Sequence, residues 1–289
     1  MGKPYAEVIG DPIAHSKSPL IHNFWLGKLG IDAEYRACHV RPDELADYFT
    51  RRRGDAEWRG CNVTMPHKQA VIPFMTNLDS LAMQVGAVNT IVPSKHGEMV
   101  GHNTDVAGVA DPLRGQPKST YPEYVATYAY IIGAGGAAAA AAVGYVEAGY
   151  HSLDIYFFNR TVDKARKLAN KFPGVEWFGS SLADFGGGNL PDSGHQAYSA
   201  VVINASPLGM VGKPPLDVSL DSFHQDTIVF DMVYSPVDTP LLKEARQRGM
   251  QTIDGLEMLV AQASAAFERF FGQPAPREHD AELRALLTA

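Results

Sequence analysis

Apolar runs and stretches of helical spacing alternate along the first hundred positions. Tyr5 to Ile9, Ala33 to Val40 and Gly60 to Val63 read as strands, and Pro19 to Leu29 and Pro42 to Arg53 as helices. Such alternation predicts an α/β sheet with parallel strands. Ala87 to Val92 and Met99 to Asn103 flank the turn-like Ser94-Lys95-His96-Gly97, which predicts a hairpin added to that sheet. Asp105 closes this unit, with a helix beginning near Val106. Beyond a loop containing Pro112, Gly115, Pro117 and Pro122, a second β-α series starts at Tyr128. It continues through Leu153 to Phe158, Ala200 to Asn204 and Thr227 to Asp231, and two nucleotide-binding halves fit this pattern. The run from Gly186 to Gly194 is a surface loop by composition. Leu256, Leu259, Val260, Ala263, Phe267 and Phe270 recur at helical spacing and predict a packing helix from Leu256 to Phe271.

A chain of 289 residues exceeds what one compact core usually serves, which predicts two domains sharing a cleft. The formal net charge of −7 argues against a general electrostatic grip on nucleic acid, so an anion must be held by local groups. Arg51-Arg52-Arg53 reads as a solvated helix end. The two cysteines, Cys38 and Cys61, lack metal-ligand spacing, and their scarcity fits a reducing compartment. The first residues carry neither a signal peptide nor a myristoylation pattern, so a cytoplasmic location is expected. Val125 to Val146 is uncharged and long enough to span a bilayer, but Gly133, Gly135 and Gly136 interrupt it where a strand should hand over to a helix. No membrane span is expected.

That interruption carries the first chemistry. Tyr130-Ile131-Ile132 supplies a buried strand, Gly133-Ala134-Gly135-Gly136 a turn that with Ala137 is expected to contact the cofactor, and Ala138 the third small position of a G-x-G-x-x-G/A pattern, with Gly149 as helix stop. Gly133 permits a tight turn, Gly135 lets backbone amides approach a pyrophosphate, and Ala138 allows close helix packing. The next strand ends at Asn159-Arg160-Thr161, where an NAD enzyme places a carboxylate for the ribose 2′-hydroxyl. Arginine there pairs with a 2′-phosphate, and Lys164 one turn on adds charge, so NADP is preferred over NAD.

Four upstream stretches are polar where a strand-to-helix junction would tolerate almost anything: Ser16-Lys17-Ser18-Pro19, Asn62-Val63-Thr64-Met65-Pro66-His67-Lys68, Gly86-Ala87-Val88-Asn89-Thr90 and Gly101-His102-Asn103-Thr104-Asp105. With Asn204-Ala205-Ser206-Pro207-Leu208-Gly209-Met210, Asp231-Met232-Val233-Tyr234 and Gly255 to Ala263 in the same order, the chain resembles the shikimate dehydrogenase family. The resemblance implies a substrate-binding domain at 1–105, completed by C-terminal helices in 256–289, and a Rossmann-type NADP domain at 106–255. It implies that Ser16 and Ser18 bind the substrate carboxylate, with Tyr234 nearby, and that Thr64, Asn89, Asp105 and Gln262 bind ring hydroxyls. It makes Lys68 and Asp105 the catalytic pair, and it adds Asn204, Ser206, Met232 and Gly255 to the cofactor contacts. The partner expected is shikimate or 3-dehydroshikimate, bound by a monomer or homodimer, with a quinate/shikimate dehydrogenase and a catalytically silent sensor as rival readings.

Alcohol oxidation needs one base as hydride leaves, and no His/Cys cluster of zinc spacing is present in the sequence, so no metal is expected. Pro66 suggests that Lys68 sits in the first turn of a helix, where the dipole opposes a cation. Asp105 at a helix start is favoured as a carboxylate by the same dipole. Val106 and Val109 depart from the glycine and aromatic common in the family, and their bulk is expected to bear on the helix that carries Asp105. His15 and His67 neighbour substrate motifs, but Lys68 already fills the acid/base role.

Overall fold

The computed structural model describes residues 2–94, 96–116, 128–150, 154–172, 176–185 and 200–289. Lys95, Pro117, Pro122, Val125, Leu153 and the run from Gly186 to Gly194 lie outside the described residues. The chain divides into two compact units, Met1–Thr104 with Gln262–Ala289, and Asp105–Ala261.

The first unit contains β1 (Tyr5–Gly10), α1 (Ser18–Leu29), β2 (Glu34–His39), α2 (Leu45–Arg53), β3 (Trp58–Val63), β4 (Asn77–Leu78), α3 (Ser80–Val85), β5 (Thr90–Pro93) and β6 (Met99–His102). Its sheet runs β2-β1-β3-β5-β6-β4. β1 lies between two parallel neighbours, and β5 and β6 form the expected antiparallel hairpin, joined to the sheet through β3. One face packs Ile9, Leu45, Tyr48, Phe49, Trp58 and Val63 under α2, and the other packs Ala6, Val8, Ile13 and Tyr35 against Ala266 and Phe270. On the α2 face Glu7 of β1 is fully buried, where Arg52 Nε approaches its carboxylate at 2.6 Å and Tyr48 donates to it at 2.7 Å. A buried charge persists only when paired in this way.

The second unit contains α4 (Asp105–Arg114), β7 (Tyr128–Ile132), α5 (Gly136–Glu147), β8 (Asp154–Asn159), α6 (Val162–Ala169), β9 (Glu176–Ser181), β10 (Ala200–Asn204), β11 (Ile228–Asp231), α7 (Pro240–Gln247) and β12 (Gln251–Ile253). Its strands are all parallel, in the order β12-β11-β10-β7-β8-β9. Counted from β7, that is the 3-2-1-4-5-6 order of a doubly wound dinucleotide fold, with its reversal point between β7 and β10. The core holds Tyr130, Ile132, Tyr156, Phe158, Val202, Val229 and Leu242. The uncharged stretch divides as the sequence suggested, β7 before the glycines and twelve residues of α5 after them. Among the described residues no helix is long and apolar enough to cross a membrane.

The last elements are α8 (Gly255–Phe271) and α9 (Asp280–Thr288). From Gln262 onward they belong to the first unit, where Phe267, Leu283 and Leu287 are buried.

Candidate active site

In the first unit, topology gathers the polar stretches at one end of the sheet. β1 and β3 are parallel neighbours, so the segments that follow them leave together. Thr64 donates its backbone N–H to Ile9, and Asp11 donates to Met65 at 3.1 Å. A Cβ on Gly10 would sit 2.5 Å from the Thr64 methyl, so this contact requires glycine. β5 starts and β6 ends at the same edge, since Asn62 pairs with Thr90 and Thr90 with His102. The segment carrying Lys68 is fixed to this end as well, because the Lys68 carbonyl accepts from Val88 N–H at 2.8 Å and the Asn89 carbonyl from Val63 N–H at 2.7 Å.

Lys68 does not lie in a helix. Met65-Pro66 is a cis peptide, and the chain passes through hydrogen-bonded turns from Thr64 to Val71 before the short 3-10 helix Ile72–Phe74. A Pro66 in this setting closes a turn instead of opening a helix, so the expected dipole acting on Lys68 is absent. Lys68 is partly exposed.

Asn89 is buried within a network of short polar side chains. Its Nδ2 donates to Thr104 Oγ1 at 3.0 Å, while its Oδ1 accepts from Thr104 N–H at 2.7 Å and from Thr90 Oγ1 at 3.1 Å. Asn62 donates to Thr90 Oγ1 at 2.9 Å and accepts from the Tyr35 hydroxyl at 2.6 Å. These contacts fix which end of each carboxamide donates. Ser16 and Ser18 flank the start of α1, and the Ser18 N–H donates to Ser16 Oγ at 3.3 Å. Gln262 is buried on α8. His67 is fully buried with Nε2 on the Val40 carbonyl at 2.6 Å, a packing role, and His15 is exposed.

In the second unit, Asp105 is buried in the first turn of α4, the helix start expected for it. The glycine turn lies at the sheet's reversal point. Gly133 has φ +129, and a Cβ there would lie 3.0 Å from the Ala205 carbonyl oxygen, so the loops after β7 and β10 meet at this residue. Gly135 has open space where a Cβ would be and is exposed at the N-cap of α5, where no side chain caps the helix. A helix start with free amides, an aligned dipole and no side chain in the way suits a phosphate. The crevice at the carboxyl ends of such strands is where a dinucleotide fits.

Asn159, Arg160 and Thr161 form the turn between β8 and α6, held by Asn159 Nδ2 on the Thr161 carbonyl at 3.0 Å. Arg160 and Lys164 are exposed. The nearest acid in sequence, Asp163, lies within the first turn of α6, where the dipole favours it. Asn204 is buried, and its carboxamide works inside the protein. It donates to Leu208 O and Asp231 Oδ1 and accepts from both the backbone N–H and the hydroxyl of Ser206. Asp231 also accepts from Val233 N–H and the Thr239 hydroxyl, and burial pushes its carboxyl up. Met232 donates its N–H to Asn204 O, and a Cβ on Gly255 would meet the Val233 carbonyl at 2.4 Å. The Tyr234 hydroxyl is pushed up by burial.

A family model described as the shikimate dehydrogenase substrate binding domain matches residues 8–91, and one described as the shikimate 5′-dehydrogenase C-terminal domain matches residues 255–282. The shikimate dehydrogenase (NADP(+)) of Sphingopyxis alaskensis is 46% identical over 288 residues, covering 99% of this chain and 97% of that one. This chain belongs to the shikimate dehydrogenase family. The Methylobacterium radiotolerans member is 42% identical over 275 residues, 95% of this chain and 93% of the other. A shikimate dehydrogenase solved with NADP+ superposes with TM-score 0.83 at 30% identity, covering 99% and 96% of the two chains. The Thermus thermophilus shikimate 5-dehydrogenase solved with NADP(H) and shikimate has TM-score 0.80 at 28% identity, with 98% and 99% coverage. A Corynebacterium glutamicum quinate dehydrogenase with NAD reaches 0.80 at 27% identity, again over 98% and 99%.

The bulk that the sequence places at Val109 has a structural counterpart. Val109 is fully buried, and α4 packs on α5 at Gly144, where a Cβ would lie 2.6 Å from Val109 Cβ and 2.8 Å from the Val106 carbonyl oxygen. The glycine opposite makes the room that Val109 needs. Among the described residues no group of three or more His, Cys, Asp or Glu is placed to hold a metal ion. Three polar residues in the site were given no role by the sequence: Asn62, Thr90 and Thr104. All three stand in the polar stretches that carry the substrate candidates, but only the cross-strand register shows that they hold Asn89.

Proposed function

We propose that this protein catalyses the reversible NADPH-dependent reduction of 3-dehydroshikimate to shikimate, a step of aromatic amino acid (chorismate) biosynthesis. The observation that carries the reading is the convergence of Ser16, Ser18, Thr64, Lys68 and Asn89 on one end of the first sheet, in a member of this family. When bound, the cofactor supplies hydride to the carbonyl carbon. Lys68 gives a proton from Nζ to the carbonyl oxygen as the C=O π bond opens, and in the oxidation it takes that proton back. Asp105 orients the hydroxyl and the lysine. Ser16 and Ser18 bind the carboxylate, with Tyr234 near it, and Thr64, Asn89, Asp105 and Gln262 bind the ring hydroxyls. The glycine turn after β7 and the start of α5, Gly133 to Ala137, hold the pyrophosphate. Arg160 and Lys164 pair with the 2′-phosphate, with Asn159 and Thr161 shaping their turn. Ser206, Met232 and Gly255 border the remaining cofactor, and Asn204 holds their loops. On this reading residues 1–105 with 256–289 serve the substrate and 106–255 serve NADP, in a cytoplasmic monomer or homodimer.

The test is the rate of change of the nicotinamide absorbance with shikimate or quinate and with NADP or NAD. Shikimate with NADP is expected to be fastest, and faster quinate oxidation with NAD would overturn the assignment. Lys68→Ala is expected to lower kcat by about 10² to 10⁴ while NADP affinity stays within twofold. Unchanged turnover would remove Lys68 from the mechanism.

A further inference from the structure

A lysine between two carboxylate-binding serines invites the role of counter-ion to the substrate. The structure gives it a different partner. Lys17 is the N-cap residue of α1, and its Nζ donates to the carbonyl oxygen of Leu287 at 2.6 Å. Leu287 belongs to the last turn of α9, where carbonyls lack intrahelical partners and the helix dipole favours a cation. A second tie joins the same two helices, since Lys28 in the last turn of α1 meets Glu282 in the first turn of α9 at 2.7 Å. Between them Leu283 and Leu287 are buried. The C-terminal helix is therefore fixed along α1, with one tie ending at the residue between Ser16 and Ser18.

We propose that Lys17 is a positioning residue, through which α9 sets the geometry of the Ser16/Ser18 carboxylate clamp. The inference rests on the proposed shikimate reaction, in which those serines hold the carboxylate. Lys17 fixes its own backbone, and with it the Ser18 N–H that bonds Ser16 Oγ, so losing the tie lets the two hydroxyls separate. Acid binding then weakens, while proton transfer at the distant carbonyl and cofactor binding are untouched.

Steady-state kinetics on the full-length protein test this. Lys17→Met keeps the stem and removes the donor, and it is expected to raise KM for shikimate about tenfold with kcat and the NADP KM within twofold. Lys17→Arg, which can still donate to a carbonyl, should recover most of that loss. A chain ending at Ala285 lacks the acceptor and should raise KM similarly, with the double variant no worse than either single one. Should the shortened chain fail to fold, the Met and Arg variants decide alone. An unchanged KM in Lys17→Met overturns the proposal, as do multiplying effects in the double variant, which would mean that Lys17 touches the substrate itself. A parallel fall of kcat and NADP affinity would mean general loosening and overturns it too. Wild-type protein without shikimate turnover would instead sink the reading of function beneath it.

Discussion

Gly133 and Gly135 stand two residues apart in one turn and should answer alanine in opposite ways. Gly133 has a left-handed backbone and faces the Ala205 carbonyl at 3.0 Å, so Gly133→Ala strains the fold and should lower stability by about 1–3 kcal/mol. Gly135 has an extended backbone and open space, so Gly135→Ala should fold within about 0.5 kcal/mol of the wild type. On the proposed reading its methyl group would stand in the way of the pyrophosphate, and the NADP KM should rise at least tenfold. Thermal melts paired with cofactor titrations separate the two, and a Gly135→Ala protein that binds NADP normally would remove that turn from the site. Gly133 was legible in the sequence because its left-handed backbone and close neighbour call for a missing side chain. Asn204 was legible only as a motif member: its bonds to Asp231 and Ser206 join residues from two strands, and no local pattern announces such a brace.

At the scale of elements, the sequence overreached at Lys68 and underreached at α5. Proline before a polar run is compatible with both a helix start and a turn, and the hydrogen-bonded turns from Thr64 to Val71 make it the latter. Conversely, the alanine-rich α5 showed its length and its stop but not why Gly144 interrupts it. The answer lies on α4, whose Val109 and Val106 backbone occupy the space of the missing Cβ. Gly144→Ala adds a methyl against a backbone carbonyl that cannot swing aside. It should cost about 1–3 kcal/mol in urea unfolding, despite alanine's better helix propensity. On the proposed role of Asp105, with which α4 begins, the variant should also lower kcat, and Val109→Gly in the same chain should restore part of both. A Gly144→Ala protein as stable as the wild type would show that the two helices part at no cost.

For the whole molecule, β-α alternation announced two α/β sheets, and the hairpin of the first was legible from its turn. The placing of β1 and β7 inside their sheets was not, because strand order is set by pairing between distant segments. Short elements such as β12, three residues long, carry too little periodicity to read. Nor does sequence distinguish a surface histidine from one sealed in a core. His22 is fully buried, stacks on Tyr35 with ring centroids 4.0 Å apart, meets Trp25 edge-on, and has no hydrogen-bond partner at either ring nitrogen. Burial pushes its pKa from 6.5 down to about 3. The fold therefore holds it neutral, while the unfolded chain takes up a proton as pH falls below 6.5. Its contribution to stability is fully present above that pH and is lost at about 1.4 kcal/mol per unit as pH falls toward 3. His22→Phe keeps an aromatic ring against Tyr35 and abolishes the titration. Between pH 7 and pH 5 the wild type should lose about 2 kcal/mol more unfolding free energy than this variant. Equal losses in urea titrations at the two pH values would place the acid sensitivity of the molecule elsewhere than in this core.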